Sequence, residues 1–68
     1  MNTNEVYKGY VIAWQEPPVT GLIWAASIRS DDFRLYARMG IQGSKVIDGQ
    51  TRDEMIAKAK EYIDDLGV

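Results

Sequence analysis

The chain has 68 residues, 8 Lys and Arg against 10 Asp and Glu, and a formal net charge of −2. It holds no Cys and no His, which excludes disulfides, thiolate metal sites and imidazole base catalysis. With 46% apolar residues, two Trp, four Tyr and one Phe it is no disordered polyelectrolyte, and its negative balance argues against a general nucleic-acid binder.

A chain of this length is one domain, expected to span residues 1–68, and it buries only roughly 60% of the surface its unfolded form exposes. Residues 1–5 are polar and are expected to be frayed. They carry no basic stretch before an apolar run, so no signal peptide is expected. The longest apolar run, residues 22–26, is too short to span a bilayer. A soluble, cytoplasmic protein is the expectation.

Residues 6–15 are rich in Val, Ile, Tyr and Trp and predict a strand. Tyr10, Ile12 and Trp14 fall on one face; Tyr7, Gly9, Val11 and Ala13 fall on the other. Gly9 marks a bulge or a close backbone approach. Residues 16–21, with Pro17 and Pro18, predict a stiff loop that could present a binding edge, although a plain connector explains it as well.

Residues 22–29 predict a second strand, with Leu22, Trp24, Ala26 and Ile28 on its apolar face. Ser30, Asp31 and Asp32 then read as a hairpin loop. From Phe33 the alternation predicts a third strand that buries Phe33, Leu35, Ala37, Met39 and Ile41 and exposes Arg34, Tyr36, Arg38 and Gln42. Gly43 and Ser44 suit a turn; Lys45, Val46 and Ile47 form either a short fourth strand or an extended lead-in. Asp48, Gly49 and Gln50 read as a loop.

The segment 51–67 carries the clearest helical signal. Thr51 followed by Glu54 has the spacing of a capping box. Met55, Ile56, Ala59, Tyr62, Ile63 and Leu66 then recur on one helix face, and Gly67 sits at the position of a left-handed C-cap. The predicted fold class is α+β: a three- or four-stranded antiparallel β-meander packed on one C-terminal helix (β-β-β-(β)-α). The core is expected from Tyr10, Ile12, Trp14, Trp24, Ala26, Ile28, Phe33, Leu35, Met39 and Ile41, facing Met55, Ile56, Ala59, Ile63 and Leu66.

Paired carboxylates at Asp31-Asp32, Asp53-Glu54 and Asp64-Asp65 could in principle serve acid–base chemistry, which needs two carboxylates in unlike environments. Turn formation and the positive helix end account for the first two pairs; Asp64-Asp65 opposes the helix dipole and is the pair left to explain. Asp48 alone does not make a calcium loop, and Gly43-Ser44-Lys45 opens into extended chain, so it is no phosphate loop. Ser27, Ser30 and Ser44 have no histidine to activate them. No catalytic residue, cofactor or metal is expected. The candidate binding residues are Arg29, Arg34, Tyr36 and Arg38, which alternation gathers on one open sheet face, joined by Tyr7, Val11 and Ala13. Such a face could pair with an acidic protein or stack bases; it could equally be a solvated face in which Arg stems cover apolar neighbours.

Residues 48–63, from Asp48-Gly49-Gln50-Thr51 into the acidic-start amphipathic helix, resemble the segment leading into the helix of HicB-type antitoxin domains. The resemblance covers the last quarter of the chain and implies a β-meander before that helix. The second strand departs from the pattern: Ser30-Asp31-Asp32 stand where a Pro- and Gly-containing motif is usual. The strand order also looks like that of double-stranded-RNA-binding domains, whose N-terminal helix and lysine-rich last helix are missing. Neither resemblance transfers a functional residue. The functional expectation is a non-enzymatic binding module that uses its exposed sheet face. A protein partner is expected over nucleic acid, and no membrane; the alternative is a HicB-like antitoxin or another nucleic-acid-associated regulator.

Overall fold

The computed structural model describes residues 2–18, 23–40 and 45–66. In chain order the elements are β1 (Asn2–Tyr7), β2 (Tyr10–Gln15), β3 (Trp24–Arg29), α1 (Phe33–Arg38), β4 (Lys45–Gly49) and α2 (Arg52–Leu66). The strands form one antiparallel sheet in the order β1-β2-β3-β4, and the α+β meander with a C-terminal helix is as the sequence predicts.

The N-terminus differs from expectation. Asn2–Tyr7 is an edge strand, not a frayed end, and residues 6–15 are not one strand. Lys8 and Gly9 both adopt positive φ, 52° and 86°, and join β1 to β2 with Tyr7 opposite Tyr10. Two consecutive residues of positive φ make the tight primed turn whose twist matches that of a hairpin. The turn resets the alternation, so Tyr7 shares a face with Tyr10 instead of opposing it. Gly9 is also a close approach: a Cβ there would lie 2.5 Å from Leu35 Cδ1.

The second difference is larger. Residues 33–38 form helix α1, not a third strand, and Asp31 and Asp32 lead into a helix rather than round a hairpin. Asp32 is the N-cap, its carboxylate accepting from the backbone N–H of Arg34 (2.8 Å) and of Leu35 (3.4 Å). Ser30 sets this up: its buried hydroxyl donates to the Gly9 carbonyl (3.0 Å) and accepts from the Asp32 N–H (3.1 Å). The alternation misleads because positions four apart satisfy both periods. Leu35 and Met39 share a face in a strand and in a helix, and so do Arg34 and Arg38. Phe33 breaks the tie. It is 83% exposed and outside the core, whereas Leu35 and Met39 pack against the core's edge. Tyr10 Oη donates to the Leu35 carbonyl (2.9 Å), tying α1 to β2.

Lys45–Gly49 is a fourth strand, longer than expected and taking in Asp48 and Gly49. Gly49 has no room for a side chain: a Cβ would stand 2.7 Å from the Met55 backbone nitrogen, so α2 starts directly over β4. Thr51 caps α2 as its spacing predicts, its hydroxyl accepting from the Glu54 N–H at 3.1 Å.

Helix α2 buries Met55, Ala59 and Ile63 against Tyr10, Ile12, Trp14, Ala26 and Ile28. Trp24, Ile56 and Leu66, expected in the core, are partly buried at its margin. The expectations at Leu22, Ile41, the Gly43-Ser44 turn and the Gly67 cap fall outside the described residues, as does the second half of the proline loop, residues 19–21; the Glu16–Pro17 peptide is cis.

Because Asp32 and Ser30 hold α1 rather than a strand, Asp32→Ala should cost about 1 kcal/mol of stability. Urea unfolding checks this, together with the Cα shifts of residues 33–38, which should move toward coil while the sheet is kept. An unchanged unfolding midpoint with unchanged shifts would mean that α1 does not depend on this cap.

Candidate binding surface

Helix α2 covers one face of the sheet and leaves the other bare. The register fixes which side chains share the bare face. One row across the sheet is Asn4, Ala13, Ser27 and Val46; the next is Val6, Val11 and Arg29. Asn2 and Gln15 stand opposite each other at one end. Ala13 and Ser27 are small, so the middle of the face is low. Around them lies an open depression of about 440 Å³, lined by Asn2, Asn4, Gln15, Ser27 and Arg29, with Thr3 and Trp14 at its side.

This lining has a distinct chemistry. Asn2, Asn4 and Gln15 bring amides, Ser27 a hydroxyl and Arg29 a guanidinium; among the described residues no carboxylate lines it. Amides donate and accept, so they suit a polypeptide backbone, while Arg29 supplies the forked donor that a carboxylate or phosphate fits. Val6 and Val46 remain exposed beside it.

Of the residues expected to share this face, Arg29, Val11 and Ala13 do so. Arg34, Tyr36 and Arg38 do not. They lie on α1, whose Leu35 and Met39 pack against the core on the helix-covered side. The expected basic–aromatic stripe is therefore split, and Tyr7 is also on the covered side, half-buried under the end of α2. The expectation of a frayed end over residues 1–5 left out Asn2 and Asn4, and Gln15, the last residue of the expected strand 6–15, was not named although it continues the alternation of Val11 and Ala13. The signal was present: Lys8-Gly9 between alternating apolar residues is an X-Gly turn, and a hairpin there brings residues 2–7 into the sheet.

The charged groups of the covered side hold α2 in place. Tyr7 Oη (2.9 Å) and Lys8 Nζ (2.6 Å) donate to Asp64 and Lys60 pairs with Glu5 (2.8 Å), whereas Lys58 pairs with Glu54 within α2 itself (3.2 Å). At the other end Arg52 pairs with Glu16, which also accepts from the Trp14 indole (2.9 Å), and the guanidinium lies 5.3 Å from the Trp14 ring. Hydrogen bonds from Lys8 and then Tyr7 lower the pKa of Asp64, and those from Trp14 and Arg52 lower that of Glu16. The bond to Asp64 raises Lys8, and that to Glu5 raises Lys60. Asp64, the carboxylate left unexplained by the helix dipole, thus has a structural role.

Among the described residues no group of three or more His, Cys, Asp or Glu could hold a metal ion. None of the paired carboxylates enters the depression. Among the described residues no helix is long and apolar enough to cross a membrane. Compared with protein-family models, curated proteins and solved structures, the chain matches none.

The direction of the Asp64 shift sets a pH dependence. A carboxylate whose folded pKa lies below its ordinary 3.8 stabilises the fold above that value and loses this contribution as pH falls through the folded pKa. Asp64→Asn should therefore be less stable than the parent at neutral pH, and the gap should close as the solution is acidified past 3.8. Urea midpoints of the two proteins across this range provide the check; a gap independent of pH would show that Asp64 is not held as an ion.

Proposed function

We propose that the chain is a small non-enzymatic binding module whose partner docks on the bare face of the sheet, with Arg29 as the charged anchor. The observation that carries this reading is the lining of the depression: amides, a hydroxyl and one guanidinium, with no opposing carboxylate, over a floor of Ala13 and Ser27. A protein segment bearing an acidic side chain fits that chemistry, its backbone meeting the amides and its carboxylate meeting Arg29. A cytoplasmic setting and the absence of catalysis belong to the same proposal.

A second reading is a HicB-like antitoxin or another nucleic-acid-associated regulator. It draws on the passage from β4 through Gln50 and Thr51 into capped α2, the segment that resembles that family. It also draws on four cations, Arg29, Arg34, Arg38 and Lys45, within 4.0 Å of no carboxylate among the described residues.

The test is affinity capture from native lysate with the parent and with Arg29→Glu side by side, analysing protein and nucleic acid together. Arg29 is exposed, so the variant should fold with a change of about half a kcal/mol or less. The proposal expects a protein partner that the parent retains and the variant loses. An identical captured set for both proteins contradicts it, and recovery of nucleic acid that is released steeply by salt points to the second reading.

A further inference from the structure

We propose that two copies of this chain associate through their helices, α1 of each copy lying against the outer surface of the C-terminal half of α2 of the other. The inference is separate from the proposed partner site, which it leaves free on the outer side of each sheet.

The first observation is a matched pair of charge ladders. Arg34 and Arg38 stand one turn apart on α1, both exposed, and no carboxylate among the described residues lies within 4.0 Å of either. Glu61 and Asp65 stand one turn apart on α2, both exposed, and no cation among the described residues lies within 4.0 Å of either. Residues four apart on a helix have Cβ atoms roughly 5–6 Å apart, so the two ladders have the same rung spacing. Four other cations of the chain, Lys8, Arg52, Lys58 and Lys60, have found carboxylates within the fold. Arg29 and Lys45 also lie within 4.0 Å of no carboxylate among the described residues, but neither has a like charge one helical turn away.

The second observation is apolar. Beside the arginines, α1 presents Phe33, 83% exposed, and Tyr36, 44% exposed. Beside the carboxylates, α2 carries an open depression of about 350 Å³ lined by Lys58, Glu61, Tyr62 and Asp65. Lys58, whose ammonium is engaged by Glu54, and Tyr62, whose ring has Lys45 Nζ at 5.9 Å, bring carbon surface to that lining. A phenyl ring from α1 would fill it as the guanidinium forks meet Glu61 and Asp65. Aromatic and Arg side chains are the usual anchors of an interface.

Geometry favours a second copy over contact within one chain. Both helices lie on the covered side of the sheet and their charges do not meet. A two-fold axis brings α1 of each copy to α2 of the other, so every contact forms twice and the assembly closes. Nucleic acid is the weaker candidate for α1: the chain is net negative, and a six-residue helix offers only two cations. Exposed ion pairs contribute little each, so the association should be weak and sensitive to salt.

Sedimentation velocity over a wide concentration range provides the test. It compares the parent, Arg34→Glu/Arg38→Glu, Glu61→Lys/Asp65→Lys, and an equimolar mixture of the two variants, with circular dichroism as the control for folding. The parent should form a dimer that salt dissociates. Each variant alone should associate at least about tenfold more weakly, because its ladders repel. The mixture should recover dimer, since the reversed ladders now match one another in both contacts. Should a reversal unfold, Arg34→Gln/Arg38→Gln carries the comparison and should also weaken the dimer. A parent that is monomeric throughout, variants that dimerise like the parent, or a mixture that stays monomeric would each overturn the proposal. So would a monomeric parent that retains a single-stranded oligonucleotide through Arg34 and Arg38.

Discussion

The burial of one helical stripe, Met55, Ala59 and Ile63, against Ile12, Ala26 and Ile28 is the constraint on which the rest of this fold depends. Ile12, Ile28, Met55 and Ile63 are the largest side chains taken fully out of water, and all four meet at this one layer. Among the described residues there is no second core to fall back on. Losing one such side chain to alanine typically costs roughly 2–5 kcal/mol, a large share of the 5–15 kcal/mol that holds an ordinary domain together. Gly49 shows how close the layer is, because the helix backbone begins where a side chain would otherwise stand.

Once α2 is docked, polar contacts at its two ends set its direction. Arg52, Glu16 and Trp14 fix the start of the helix to the end of β2, and Asp64 fixes its last turns to Tyr7 and Lys8 at the β1–β2 turn. These groups lie near the surface, where each contributes little alone; together they choose one orientation for a helix that the apolar layer merely attracts. That orientation leaves Glu61 and Asp65 exposed, with α1 on the same side of the sheet as α2 and the opposite face of the sheet bare. The functional proposals all descend from this arrangement.

Helix α2, the phase of β2 and β3 and most of the core were legible in the sequence, because long periodic patterns with a cap have few alternatives: Thr51 and Glu54 announce α2, and Ile12, Trp14, Ala26 and Ile28 alternate without ambiguity. Short elements were not. Over six residues, Leu35 and Met39 satisfy a strand as well as a helix, and only the Asp32 carboxylate and the Ser30 hydroxyl, side chains that also suit a hairpin loop, decide for the helix. The candidate site suffered twice. Moving Arg34, Tyr36 and Arg38 from strand to helix removed them from the sheet face, and reading residues 2–5 as frayed hid Asn2 and Asn4. Arg29 survived because its strand was read in the correct phase.

The central claim is that the sheet has one covered and one bare face, because α2 occupies only the first. Ala25 and Ala26 are neighbours on β3 and point to opposite faces, the former exposed and the latter 1% exposed. The most direct measurement is the broadening of alanine methyl resonances by a soluble paramagnetic agent, recorded in dilute solution at raised salt. The account predicts strong broadening at Ala25 with Ala26 and Ala59 protected. Equal protection of Ala25 and Ala26 would show both faces covered, and equal broadening would show α2 undocked; either result contradicts it.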